Sequence, residues 1–186
     1  MPTQKIISEH KDMMEKALDF LLSEFKSVRT GRASTGLVEN IKVDYYGTPT
    51  PLKQLAALSA PEASMIVIKP FDPASVKEIE KAIKNSDLSI APISDGKIVR
   101  LNIPPLSQER RKQLAAQAKQ LGEQSKVSIR NIRRDANKKL EDQEKAKTIT
   151  EDDREHGKKV IDDLTREFTD KIDHAVKAKS DEIMKD

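Results

Sequence analysis

The chain has 186 residues, of which 35% are charged and 3% aromatic, with no Cys and no Trp. That length can bury a real core in one or two domains, and the lack of Cys excludes disulfides, Cys-based metal sites and thiol catalysis. The formal charge of +3 hides an uneven spread, because residues 106–150 hold 12 basic and 6 acidic groups whereas residues 151–186 hold 8 and 12.

The N-terminus turns acidic and polar too early for a signal or transit peptide, and no apolar run approaches membrane-spanning length. A soluble cytoplasmic protein without a membrane partner is expected. Residues from about 4 to 29 predict a helix, with Ile7, Met14, Ala17, Leu21, Phe25 and Val28 at heptad-like intervals. Gly31 and Gly36 then break the period.

The next section has a different texture. Residues 38–46 predict a strand, and Gly47-Thr48-Pro49-Thr50-Pro51 the turn that ends it. Residues 52–59 form a short apolar segment, and Met65-Ile66-Val67-Ile68 a buried strand stopped by Lys69-Pro70. Asp72-Pro73 opens a helix to about Asn85, with Val76, Ile79 and Ile83 inward. Residues 89–93 and 97–103 predict two strands around Ser94-Asp95-Gly96.

Helix returns after Pro104-Pro105. Ser107 is the expected N-cap of a helix reaching about Lys145, and Thr150-Glu151-Asp152-Asp153 caps a last helix whose seam is Ile161, Leu164, Phe168, Ile172 and Ala175. On the middle helix, Leu114, Ala118, Leu121, Ser125, Ile129, Ile132 and Ala136 share one sector. Lys112, Lys119, Lys126, Arg130, Arg133 and Asn137 share the adjoining one, with no carboxylate between its ends. This cationic strip either receives a polyanion or pairs with the acidic last helix.

Three long helices carry stripes that none can bury alone. The expected fold is therefore α+β, mainly α: a three-helix bundle from residues 1–30 and 106–186, with residues 31–105 inserted after the first helix. Two chain crossings, near Thr30-Gly31 and Pro104-Pro105, would permit hinge rotation.

Sites for chemistry are scarce. His10, His156 and His174 are far apart and read as surface or boundary residues, and the acidic run 151–153 reads as helix-start complementarity rather than a metal site. No phosphate loop or Gly-x-Ser-x-Gly is present, so no catalytic residue, metal or cofactor is expected. The Tyr45-Tyr46 pair reads as one core and one surface ring, with base stacking the lesser alternative. The strip suits RNA shape better than DNA sequence, and Arg130 and Arg133 are its strongest members because a guanidinium both forks onto phosphate and stacks on bases.

Several segments together resemble the ribosome recycling factor family, bacterial type. They are Arg29-Thr30-Gly31-Arg32-Ala33-Ser34, Tyr45-Tyr46-Gly47-Thr48-Pro49-Thr50-Pro51-Leu52, Gln54-Leu55-Ala56, Pro104-Pro105-Leu106, Glu109-Arg110-Arg111-Lys112 and residues 127–137. The resemblance spans essentially the whole chain. It implies an L-shaped molecule, in which a three-helix bundle stands at an angle to a β/α/β domain. It also implies binding between the ribosomal subunits, with the bundle along large-subunit ribosomal RNA. Elongation factor G and GTP would then drive subunit dissociation and release messenger and deacylated transfer RNA.

On that resemblance Arg130 and Arg133 are the main RNA contacts and Arg111 a further one. Lys126, Lys119, Lys112, Arg110, Arg134 and Asn137 complete the expected surface. Arg29, Thr30, Gly31, Arg32, Pro104 and Pro105 form the expected hinge, near residues 29–33 and 103–106. A monomer that binds neither DNA nor membrane is expected. The alternative from another class is a helical chaperone or scaffold clasping protein clients.

Overall fold

Long helices account for the ends of the chain. In this computed structural model, which describes residues 2–185, α1 runs Pro2–Ser27, α4 Gln108–Lys145 and α5 Glu151–Met184. Between them lie β1 Lys42–Tyr45, β2 Thr48–Pro51, α2 Leu52–Leu55, β3 Ala56–Glu62, β4 Met65–Pro70, α3 Val76–Lys84, β5 Pro92–Ser94 and β6 Val99–Asn102. The chain divides into two compact units, one of residues up to Phe25 with Ala115–Glu182, the other of Lys26–Leu114 with the residues from Ile183 on. These bounds differ from residues 30/31 and 105/106, because the last turn of α1 and the first turns of α4 group with the strands.

The first unit is a three-helix bundle. Ile6 of α1, Ala136 and Leu140 of α4, and Ile161 of α5 share one core cluster with Ile149 of the connecting turn. The stripe on α1 is Thr3, Ile6, His10, Met14, Leu21 and Phe25, so the core takes Ile6 in preference to Ile7 and also takes a histidine. α5 starts with a reciprocal capping box: Asp153 N–H donates to Thr150 Oγ1 (3.1 Å) and Thr150 N–H to Asp153 Oδ2 (3.2 Å). Asp153 thus caps the helix start, and Glu151 and Asp152 share its first turn, where the positive end of the helix dipole favours carboxylates.

The second unit pairs every strand antiparallel. β1 and β2 form a ribbon, and the remaining strands a sheet in the order β3-β4-β6-β5. On its inner face Ile66 lies opposite Leu101 and Ile68 opposite Val99, all fully buried. Each such side chain contributes roughly 1.5–3 kcal/mol by leaving water. α3 closes this core with Val76, Ile79 and Ile83.

Local predictions change most in three places here, while β5 at Pro92–Ser94 also falls later than the expected 89–93 and β4 runs on through Lys69-Pro70. Residues 38–46 are not one strand, since a 3-10 turn at Thr35–Leu37 leads into the shorter β1. The expected turn at 47–51 is mostly β2: the chain reverses at Tyr46 and Gly47, with φ of +50 and +80, and returns as a strand. Pro49 and Pro51 occupy alternate positions, leaving the Thr48 and Thr50 amides to serve the ladder. The expected helix at 72–85 begins with a 3-10 turn at Pro73–Ser75, capped when Ala74 N–H donates to Asp72 Oδ1 at 2.9 Å.

Candidate nucleic-acid interface

The start of α4 is fixed by Ser107, whose hydroxyl accepts from Arg110 N–H at 3.2 Å. From there the core sector falls where expected, with Leu114, Ala118, Ser125, Ile129 and Ala136 buried. The adjoining cations therefore lie along the flank of α4, and they divide into two groups.

Lys112, Lys119, Arg130 and Arg134 are exposed, and among the described residues none of them makes an ion pair. Arg110 is exposed too, and donates from Nη1 to Gln113 Oε1 at 3.0 Å. Five cations thus face water, and in the relevant stretch Arg130 and Arg134 stand one helical turn apart.

Lys126 and Arg133 behave differently. Lys126 Nζ lies 2.6 Å from Asp173 Oδ1 of α5 and 3.0 Å from Glu123 Oε1. Hydrogen bonds to Asp173 and then Glu123 raise its ammonium above the usual lysine value, so it is firmly charged but already engaged. Arg133 Nη1 approaches Asp162 Oδ1 at 3.8 Å, while its Nε and the Oδ1 of Asn137 are buried without a hydrogen-bond partner among the described residues. The strip is therefore not free of carboxylates. Asp162 and Asp173 reach it from the neighbouring helix, which periodicity along α4 cannot reveal.

Arg111 also departs from expectation. It is only 8% exposed, and its guanidinium donates to the carbonyls of Leu106 (3.3 Å) and Lys185 (2.9 Å). Burial and these acceptors make it a brace within the second unit rather than a surface cation for RNA.

The expected hinge residues all fall inside that second unit. Arg29 Nη2 donates to Pro104 O at 2.9 Å, which ties the two segments together. Burial and the nearby charge of Arg110 both lower the Arg29 guanidinium from its ordinary value. Thr30 is buried, Arg32, Pro104 and Pro105 are exposed, and Gly31 adopts φ +83 beside Leu106. Ala33 N–H and Ile103 N–H donate to Ala63 O and Ser64 O, both at 2.7 Å, so each segment is anchored to the β3–β4 turn.

The family model described as ribosome recycling factor matches residues 21–184. A ribosome-recycling factor from Oleidesulfovibrio alaskensis is 50% identical over 179 residues, covering 96% of this chain and 97% of its own. The chain belongs to the ribosome recycling factor family. The ribosome-recycling factor of Carboxydothermus hydrogenoformans is 48% identical over 181 residues, covering 97% of this chain and 98% of its own. A solution structure of the ribosome recycling factor superposes with a TM-score of 0.77 at 38% identity, over 99% of this chain and 98% of that one. Coordinates of the T. thermophilus ribosome recycling factor, with E. coli elongation factor G bound to the E. coli post-termination complex, match with a TM-score of 0.68 at 38% identity over the full length of both chains.

The sequence reading left the pairing of Lys126 and Arg133 with the acidic last helix open as one of two fates of the strip, and it missed the burial of Arg111 in this recycling-factor fold. The surplus of acids in residues 151–186 was the signal for the first. Nothing local announces the second, since Arg111 is held partly by a carbonyl 74 residues away.

Proposed function

We propose that this protein is a translation factor that splits post-termination ribosomes into subunits together with elongation factor G and GTP, releasing messenger and deacylated transfer RNA. The observation that carries this reading is the near full-length likeness to ribosome-recycling factors, one of which is described, with elongation factor G, as bound to a post-termination complex. The exposed flank of α4 supplies the chemistry for the ribosomal side. Arg130, Arg134, Lys119, Lys112 and Arg110 can neutralise phosphates of large-subunit ribosomal RNA in the intersubunit space, releasing counterions as they do so.

Arg130 carries the most weight in this reading. It is exposed, uncommitted to any ion pair among the described residues, and its guanidinium fits phosphate in a fork. Arg133 contributes after giving up a long contact to Asp162. Lys126 contributes mainly by holding α4 to α5. The segments at residues 29–33 and 103–106 serve as the hinge, and the factor acts as a monomer in the cytoplasm.

Subunit splitting of purified post-termination ribosomes tests the reading directly. Splitting is expected only with this protein, elongation factor G and GTP all present, and is lost in Arg130→Glu while that variant keeps its fold by circular dichroism. Full splitting by folded Arg130→Glu excludes the α4 flank as the contact.

A further inference from the structure

Contacts along most of their length fix the register of α4 against α5. Lys158 Nζ reaches Glu141 Oε1 at 2.9 Å, Arg133 Nη1 approaches Asp162 Oδ1 at 3.8 Å, and Lys126 Nζ reaches Asp173 Oδ1 at 2.6 Å. Beyond them Val176 packs where a side chain on Gly122 would stand. The two helices therefore run antiparallel, and a level on one can be read across to the other. Between the rungs at Asp162 and Asp173, α5 carries Arg166. At about 100° per residue, Arg166 lies within about 40° of Asp162 and about 20° of Asp173, so all three share one edge. Across the seam, between Lys126 and Arg133, α4 carries Arg130.

Two observations set Arg166 apart from an ordinary solvated charge. It is exposed and makes no ion pair among the described residues, although carboxylates stand one turn away on both sides. Asp162, four residues before it, has the spacing and order that favour a helical pair, yet turns to Arg133 instead. Asp170, four residues after it, pairs with nothing among the described residues and lies further round α5, away from α4. The guanidinium of Arg166 is thus as unspent as that of Arg130.

The floor of the seam differs from its rims. Lys126 is held by Asp173 and Glu123, and Arg133 faces Asp162, so the charges there largely cancel. One free guanidinium remains on each rim at the same level. Packed helices stand about 8–10 Å apart, which lets two arginines on adjacent helices reach neighbouring phosphates of one strand.

We propose that Arg166 is a second RNA contact, on α5, and that Arg130 and Arg166 grip one strand of phosphate backbone from the two rims of the α4–α5 seam. This rests on the ribosomal reading above and gives it a direction. A single cationic helix edge holds a strand without fixing how it lies. Two rims make the strand follow the seam, because phosphate contacts set register and orientation. Each guanidinium presents a fork that fits phosphate oxygens, and the paired floor between them adds no net repulsion.

The test measures affinity of the full-length protein for purified large ribosomal subunits over a range of salt. Wild type is compared with Arg166→Ala, Arg166→Lys, Arg130→Ala, the double alanine variant and Lys171→Ala. Lys171 lies on the opposite edge of α5, paired with Glu167, and controls for net charge. Because Arg166 is exposed and uncommitted, Arg166→Ala is expected to keep the wild-type urea midpoint. The slope of log affinity against log salt should become shallower by about one unit in Arg166→Ala, stay near wild type in Arg166→Lys, and not change in Lys171→Ala. In the double variant the two losses of affinity should fail to multiply, because the residues share one strand. Losses that multiply place the contacts apart and overturn the shared grip. Equal flattening by Lys171→Ala overturns it in favour of diffuse charge. A wild-type slope in Arg166→Ala also overturns it, and if Arg130→Ala still flattens the slope, the ribosomal reading stands. If wild type does not bind large subunits, both fall.

Discussion

The imidazole of His10 on α1 reaches Asp135 on α4, with Nε2 3.0 Å from Oδ2, while its Nδ1 lies 2.7 Å from the carbonyl oxygen of Ile6. The ring is 0% exposed, which corrects its reading as a surface or boundary histidine. Asp135 also receives Lys139 Nζ at 3.0 Å. A polar bridge therefore links α1 to α4 between the apolar contacts of Ile6 and Met14, and its carboxylate lies on the helix that carries the cationic flank.

That bridge should fail in acid. Hydrogen bonding to His10, then to Lys139, holds the Asp135 carboxyl below its ordinary value. A carboxyl depressed in the folded state contributes stability above its unfolded value of about 3.9, and loses it as pH falls through the folded value. Urea midpoints measured between about pH 3 and about pH 6 should therefore fall less steeply below roughly pH 4 for Asp135→Asn than for wild type. Equal slopes would show that Asp135 gains nothing from its partners.

Removing the ring has a larger effect. His10→Ala deletes a fully buried side chain and a hydrogen bond to a charged group, so stability should drop by roughly 2–4 kcal/mol in equilibrium denaturation. A loss below about 1 kcal/mol would mean the site collapses around the gap.

Gly122 predicts an inverted sign. In a helix interior Gly→Ala is normally worth about 1 kcal/mol in favour of Ala. A Cβ on Gly122 of α4, however, would overlap Val176 Cγ2 of α5, and a β-branched side chain in a helix has little rotamer freedom with which to yield. Overpacking then outweighs propensity, and Gly122→Ala should lower the unfolding free energy by roughly 1–2 kcal/mol, seen as a lower thermal or chemical midpoint. The double variant Gly122→Ala/Val176→Ala should recover part of that loss.

The contrast between the two helical faces of α4 shows what could be read in advance. The core sector from Leu114 to Ala136 follows from 3.6-residue periodicity, and the Thr150 cap from side-chain chemistry three residues apart; both are local. β2 was hidden because its two prolines mimic a turn, although an edge ribbon tolerates proline at alternate positions. The pairing of Lys126 with Asp173 spans two helices, and the brace at Arg111 joins residues 74 apart. Periodicity says which way a residue faces on its own helix, and nothing about what the next helix places opposite.

The division of the strip yields the sharpest electrostatic prediction. Log affinity for large ribosomal subunits should fall linearly with log salt, with a slope set by the number of phosphates neutralised. Arg130→Ala removes an uncommitted cation, so the slope should become shallower by about one unit. Lys126→Ala removes a cation already bound by Asp173 and Glu123, and should leave the slope nearly unchanged. Asp173→Asn works the other way. It releases Lys126 from its 2.6 Å partner, so binding should tighten and the slope steepen, while the bundle loses no more than about 1 kcal/mol because the pair is partly exposed. If Lys126→Ala flattens the slope as much as Arg130→Ala does, RNA displaces the intramolecular partners, and α5 must move its carboxylates aside when the factor binds.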